Sequence, residues 1–406
     1  MHMNWVARLL VPGALGLLCG CHWLATPTFN TPKPVSTDLP IAERIIPAPD
    51  ISEVPENTAP PVPNNYFQLT ADTCRDLAYK NSSLANLIES SVVVRRGPFI
   101  HLDGQDCADL VRLTTAGHLS KEARNRAAGA ALKLYYQLLE LELKSDVLNS
   151  SLVEIDALVK TVDILKDKGF KITADSYELK KQRIELQADQ AKLRSGLTKL
   201  NAELKNLLAI DPGVPGFLLP ADAVRVAPDP LDAAMAVQVG LANRADLQLL
   251  RSLQGTTTDR TVGAVRRVLL GATPILGAVM PDKAEKPALL PFVRSMAKAE
   301  ACQLKTQLQA VLADREREAT KDIRNAVDEW ITARDLVAIG KAKFQLAKEQ
   351  VTELEKRDKL GQAVEVELRK ARLEAYKLEA DLIAEIVRWK LADVKAREEL
   401  GLLCGE

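Results

Sequence analysis

The chain has 406 residues, and its 54 basic and 54 acidic side chains cancel. This balance argues against the basic surface that nucleic-acid-binding proteins need, so no nucleic acid is expected as a partner. The composition is 47 % hydrophobic but only 4 % aromatic, which favours long helices packed through Leu, Ala and Val over a compact enzyme core.

Residues 1–20 are predicted to be a signal peptide. The apolar run "LLVPGALGLL" at 9–18 is too short to span a membrane comfortably. It ends in "LCGC", which resembles the bacterial lipobox and implies cleavage before Cys21 with lipid on its thiol. An ordinary signal peptide and an uncleaved anchor are the alternatives. His22 is not the aspartate that marks inner-membrane retention, so we expect an outer membrane, lipid-anchored and mostly periplasmic protein.

Residues 21–65 are rich in proline, in stretches such as "TAPPVPNN". Such a segment forms neither helix nor central strand and is suited to link a lipid anchor to a folded body. Residues 68–90 then predict a helix with a break near Lys80. Residues 91–119 look mixed, and Ser120 is a candidate N-cap for the first long helix.

Two long helical hairpins dominate the rest of the chain. Leucines and other apolar residues follow 4–3 spacing over 134–162 and seven-residue spacing over 179–207, a pattern typical of coiled coils. The same plan recurs over 323–351 and 368–396. Each pair of arms is separated by a charged turn with a glycine, near 166–175 and near 356–365. These turns are the predicted hairpin tips.

The two halves also match in sequence. "LKKQRIEL" at 179–186 aligns with "LRKARLEA" at 368–375, and "AYKNSSLANL" at 78–87 aligns weakly with "LANRADLQLL" at 241–250. The chain therefore reads as an internal duplication. We assign the first repeat to 66–212, a connector and first helix of the second repeat to 213–250, a variable insert to 251–301 and the second hairpin to 302–403.

These features together resemble the TolC family of outer membrane efflux proteins, in its lipoprotein branch. "ALKLYYQLLELE" at 131–142 resembles the start of the family's first hairpin, and "GQAVEVELRKAR" at 361–372 resembles its tip motif. "LANRADLQLL" resembles the family signature that opens the second repeat, with Ala245 in place of the usual proline. The resemblance covers roughly residues 66–402.

The resemblance implies a homotrimer that forms a periplasmic α-barrel conduit. It also implies that the tips meet a periplasmic adaptor coupled to an inner-membrane pump. Gly169, Asp175, Gly361, Glu365 and Glu367 would then lie at the adaptor-facing end. For the glycines the alternative is a helix C-cap, and for the acidic residues it is a solvated helix start.

In this family each protomer also contributes four outer membrane strands, which should come from the inserts near 91–119 and 256–297. Neither insert shows two clean alternating strands, so we expect a mainly α fold with two tandem long antiparallel coiled-coil hairpins and few or reduced β-strands. The alternative function is a periplasmic coiled-coil scaffolding lipoprotein without channel activity.

The residues that could support catalysis or metal binding do not predict an enzyme. Cys74 and Cys107 are a possible disulfide in an oxidising compartment, with buried free thiols as the alternative. The four histidines form no helical pair with a carboxylate of the kind that zinc enzymes use. We therefore expect no catalytic site, no metal and no cofactor.

Overall fold

The computed structural model describes residues 66–90, 103–169, 175–211, 216–222, 232–272, 291–362 and 364–403. The chain divides into two units. One comprises Met1–Asn64 and Arg266–Lys283, and the other comprises Asn65–Val265 and Ala284–Glu406. In the first unit the described residues are 266–272, the second half of a helix.

The described elements follow one another as β1 (Tyr66–Leu69), α1 (Ala71–Lys80), α2 (Ser83–Ser90), α3 (Asp103–Asp167), α4 (Ser176–Leu207), β2 (Phe217–Pro220), α5 (Ala233–Asn243), α6 (Ala245–Thr256), α7 (Val262–Ala272), α8 (Pro291–Lys359) and α9 (Glu365–Glu399). The expected break near Lys80 separates α1 from α2.

The four long helices of this unit pack in the order α8, α9, α3, α4. The hairpins are α3 with α4 and α8 with α9, and α9 packs against α3 to join them. The inner helices α9 and α3 therefore have a long helical neighbour on both sides, whereas α4 and α8 lie at the two ends of the order. This arrangement confirms the mainly α fold of two tandem hairpins.

The 4–3 pattern of the second hairpin forms a continuous seam. The buried residues on α8 recur at alternating intervals of four and three over Ala319, Ile323, Ala326, Trp330, Ala333 and Val337. Trp330 packs with Trp389 of α9, with ring centroids 6.0 Å apart. Knobs at this spacing stay on one face of a supercoiled helix, which explains why the pattern was readable in the sequence.

The buried apolar residues of α3 cover a wider part of the helix surface than the sequence predicted. Leu138, Ile155 and Val162 of the predicted seam are buried, but so are Val147 and Leu158, which lie beside it. Because α3 packs against both α4 and α9, it needs two apolar stripes rather than one. A single coiled-coil seam was therefore an incomplete prediction.

One sequence-based expectation is wrong in this region. Ser120 is not an N-cap, because α3 begins at Asp103 and Ser120 lies buried inside it. Its hydroxyl instead donates to Glu89 of α2 at 2.9 Å. The insert near 256–297 shows no two clean alternating strands in the sequence, and in agreement with this 262–272 and the residues from 291 onwards are helical. Residues 91–102 and 273–290 lie outside the described part.

A small two-stranded sheet packs beside the first hairpin. β1 and β2 pair in parallel, with Tyr66 opposite Phe217. The hydroxyl of Tyr135 on α3 lies 2.8 Å from a carboxylate oxygen of Asp222, which follows β2, and 3.1 Å from the carbonyl oxygen of Leu69. The sheet is thereby fixed to the wall of long helices, at the end away from the tips.

Candidate functional site

The first hairpin tip lies between Asp167, where α3 ends, and Ser176, where α4 begins. Gly169 has φ of 81°, a conformation that glycine adopts at low cost. Asp175 is the N-cap of α4, and its side chain accepts a hydrogen bond from the backbone N–H of Tyr177 at 3.0 Å. Residues 170–174 lie outside the described part.

The second tip lies between Lys359 and Glu365. Gly361 has φ of 77°, and the N–H of Gln362 donates to the carbonyl of Arg357, as in a Schellman motif. Glu365 and Glu367 occupy the first turn of α9, where negative charge is favourable. Leu360 is 78 % exposed at this tip.

The two tips are held side by side by polar contacts between α3 and α9. The hydroxyl of Thr161 lies 3.1 Å from a carboxylate oxygen of Glu365. Arg369, one turn further along α9, donates to Glu365 at 3.0 Å and to Glu154 of α3 at 3.1 Å. Of the predicted acidic residues, Glu365 is therefore the one that links the hairpins. Glu367 is exposed and makes no ion pair within the described residues.

Sequence reasoning missed the centre of this network. Glu154 is buried, at 8 % exposure, and lies near both Arg369 and Arg372. Arg372 also donates to Glu355 of α8 at 2.9 Å, and this hydrogen bond raises the pKa of the Arg372 guanidinium. The sequence did contain a signal for this network. Glu154 is a charged residue between apolar positions of a coiled-coil pattern, and such a residue needs a partner.

The second hairpin has another charged surface near its tip, which differs from the Glu154 network in the environment of its charges. An open groove lies between α8 and α9 near the tip, with buried Leu354 and Ala371 among the residues that line it. Exposed polar side chains of both signs complete the lining: Gln350, Glu353, Arg357, Glu367, Lys370 and Glu374. Within the described residues, no ion pair is formed by four of these side chains: Glu353, Glu367, Lys370 and Glu374. This face therefore exposes its charges to solvent.

The residues that resembled the second-repeat signature have a structural role. Arg244 donates to Asp246 at 3.0 Å and to Glu399 of α9 at 2.8 Å. Burial alone would raise the pKa of Asp246, but the hydrogen bond and charge of Arg244 outweigh it, and the net pKa is lowered. These contacts tie the start of α6 to the end of the last long helix.

Cys74 is a free thiol in the structure, and because the side chain of Cys107 lies outside the described part, the disulfide between them stays a prediction. The Cys74 side chain is fully buried among Ala78, Ala131, Tyr135 and other apolar residues, where a thiol behaves as a small hydrophobic group. Burial raises the pKa of the Cys74 thiol to about 12, which leaves it unreactive. Cys21, the predicted lipid attachment site, lies outside the described residues.

The described part of the chain offers neither a metal-binding group of side chains nor a membrane-spanning helix. No group of three or more His, Cys, Asp or Glu side chains there is arranged to hold a metal ion. None of the helices in that part of the chain combines the length and the apolar character needed to cross a membrane.

Comparison with solved structures identifies the fold. A membrane protein from Pseudomonas aeruginosa is 13 % identical, with a TM-score of 0.56 over 83 % of this chain and 91 % of its own. The outer membrane channel CmeC of Campylobacter jejuni is 10 % identical, with a TM-score of 0.53 over 82 % and 85 %. The Neisseria gonorrhoeae outer membrane channel MtrE, in its open state, is 13 % identical, with a TM-score of 0.52 over 82 % and 88 %.

No family model and no curated protein matches the sequence. The similarity is therefore one of structure, and the chain has the fold of TolC-like outer membrane channels. The resemblance seen in the tip motif and in the duplicated hairpins is confirmed at the level of the fold.

Proposed function

We propose that the protein is the outer membrane channel component of an efflux or secretion system. The observation that carries this proposal is the shared fold, which extends over more than four-fifths of the chain and of each channel compared with it. In this role the protein performs no covalent chemistry. Its long helices form the wall of a passage, and the passage is the function.

The proposal includes the assembly. Three copies surround one conduit, Cys21 carries the lipid that holds the chain to the outer membrane, and the hairpin tips point away from that membrane. The tips around Gly169 and Gly361 meet a periplasmic adaptor coupled to an inner-membrane pump. The side-by-side placement of the two tips through Thr161, Glu365 and Arg369 supports this, because it gives each copy one continuous tip surface.

A second candidate is a scaffolding lipoprotein built on the same fold but without a passage. The observation that favours it is the helix over 262–272 and from 291 onwards, in a region where the channels of this family were expected to have strands. A scaffold would use the hairpins for self-association or partner binding and would leave the membrane closed.

Single-channel conductance separates the two candidates. The purified lipidated protein is added to planar bilayers, and the mass of the assembly is measured on the same preparation. Stable conductance from a trimer is the expected result. A helical, membrane-tethered protein that never conducts would contradict the channel proposal and leave the scaffold as the function.

A further inference from the structure

The two outer edges of the small sheet differ in how they are covered. In a parallel pair, alternate residues of a strand direct both backbone groups toward the partner strand, and the residues between them direct both groups outward. The N–H of Ala221 donates to the carbonyl oxygen of Leu69 at 2.9 Å, and Leu69 lies opposite Pro220. Leu69 and Phe67 therefore face β2, whereas Gln68 directs its N–H and its C=O away from β2.

The outer edge of β2 is closed by its neighbours. The side-chain amide of Asn201 on α4 accepts from the backbone N–H of Leu218 at 3.3 Å and donates to the carbonyl oxygen of the same residue at 3.1 Å. Pro220 has no N–H to offer. The ammonium group of Lys205 donates to the carbonyl oxygen of Gly216 at 2.6 Å. Cover of this kind keeps an edge strand from pairing with another chain.

The outer edge of β1 has no such cover within the described residues. Gln68 is exposed, and neither its backbone N–H nor its carbonyl oxygen has a hydrogen-bond partner there. Phe67, on the same face of the strand as buried Leu69, is 46 % exposed. A strand edge with a free donor, a free acceptor and an uncovered aromatic ring is a template for one more strand.

The open edge is also held in place. The hydroxyl of Tyr135 lies 3.1 Å from the carbonyl oxygen of Leu69. Directly after the strand, the N–H of Ala71 donates to a carboxylate oxygen of Asp222 at 2.6 Å. Because β1 is already ordered by these contacts, pairing with a further strand costs little conformational entropy on this side.

We propose that the outer edge of β1 is a binding site for an extended segment of another protein, which adds a third strand to the sheet. The backbone of Gln68 supplies the hydrogen bonds, and an apolar side chain of the added strand covers Phe67. Tyr135, which holds the sheet, lies about 48 Å along α3 from the last residue of that helix. The site is therefore separate from the tip surface that the proposed function assigns to an adaptor.

Symmetry favours another protein over a second copy as the occupant. Two copies joined through this edge would present the same residues to each other, and such a two-fold contact closes after two chains. The proposed passage is surrounded by three copies, which need a contact that repeats head to tail. A strand from a different protein has no such restriction, and each copy would offer it one site.

Hydrogen exchange of the full-length protein alone, measured at single-residue resolution, tests whether the edge is open. The amides of Phe67 and Leu69 donate to β2 and should exchange slowly, whereas the amide of Gln68 should exchange about a hundredfold faster. Slow exchange at Gln68 would overturn the proposal, because the edge would already be covered. Protection that rises with protein concentration would identify a second copy as the cover.

Binding is measured by fluorescence anisotropy with the labelled peptide Lys-Thr-Val-Thr-Val-Thr-Lys, whose valines share one face when extended. We expect saturable binding that protects the amide of Gln68. Gln68→Pro removes the outward N–H but none of the bonds to β2, and it should weaken binding about tenfold. Gln68→Ala is the matched control, since it shortens the same side chain, keeps the N–H and should bind as the parent does.

The helical circular dichroism and the melting temperature of Gln68→Pro should equal those of Gln68→Ala, which shows that both variants are folded. Absence of saturable binding, or equal binding by the two folded variants, would refute the site. Neither measurement involves conductance. A failed site would thus leave the proposed channel in place, and a protein that never conducts would still present this edge.

Discussion

At the scale of single residues, Gly361 and Gly401 both have positive φ, but glycine is required at the two positions for different reasons. Gly361 has φ of 77° and open space where a Cβ would lie. Gly401, at the end of α9, has φ of 69°, and an added Cβ there would lie 3.0 Å from the backbone carbonyl oxygen of Asn243. The tip glycine is required by backbone conformation alone, whereas Gly401 is also required by close packing against α5.

Substitution of these two glycines by alanine should therefore have unequal costs. Gly361→Ala should lower the free energy of unfolding by about 1 kcal/mol, the cost of a left-handed conformation for an L-residue. Gly401→Ala should lower it by more, about 2–3 kcal/mol, because the backbone must also shift. Urea unfolding followed by helical circular dichroism measures both, and equal losses would show that the Asn243 contact is not tight.

At the scale of elements, Glu154 sets how α9 lies on α3. Its carboxylate is nearly buried, accepts from Arg369 and lies near Arg372. A buried charge of this kind is tolerated only with partners, and removal of one partner leaves the others uncompensated. We infer that this cluster of Glu154, Arg369 and Arg372 fixes the axial position of the two hairpins relative to each other.

Glu154→Gln should destabilise the protein by about 2 kcal/mol, because a charged hydrogen bond to Arg369 becomes a neutral one. Glu367→Gln is the matched control, since Glu367 is an exposed glutamate near the same tip without an ion pair in the described residues. Its effect should stay within about 0.5 kcal/mol. Chemical denaturation of the two variants side by side provides the test, and a similar effect of both would remove Glu154 from this role.

At the scale of the whole molecule, one amide joins the hairpins at the end away from the tips. Asn125 of α3 is buried and donates its side-chain N–H to the carbonyl of Glu398 at 2.9 Å. Its side-chain oxygen accepts the backbone N–H of Leu403 at 3.2 Å. Together with the Glu154 cluster near the tips, this contact ties the first and second repeats at both ends of their shared junction.

Asn125→Ala should cost about 3 kcal/mol, since it leaves a buried carbonyl and a buried N–H without partners. Asn149→Ala removes an exposed amide that accepts from Gln190 at 2.8 Å, and it should cost less than about 0.5 kcal/mol. Hydrogen exchange of the end of α9 gives an independent measure. Unchanged protection there in Asn125→Ala would mean that Asn125 does not hold the repeats together.

Much of this fold is determined by the sequence on its own. The 4–3 spacing of apolar residues specifies long coiled-coil helices because side chains at that spacing share one face. The glycines specify where the hairpins turn because few other residues adopt positive φ at low cost. The matching halves specify a duplication. These signals are local or periodic, so they can be interpreted without knowing which elements pack against each other.

The tertiary structure alone decided which helices are neighbours. The second stripe of α3, the start of α3 at Asp103 rather than Ser120, the free thiol of Cys74 and the Glu154 cluster all depend on partners that lie far away in the chain. No periodicity encodes such pairs, because burial and charge compensation are properties of contacts rather than of single segments. The order α8, α9, α3, α4 also leaves α4 and α8 with a long helical neighbour on one side only, and apolar residues such as Ile184 and Leu346 remain exposed there.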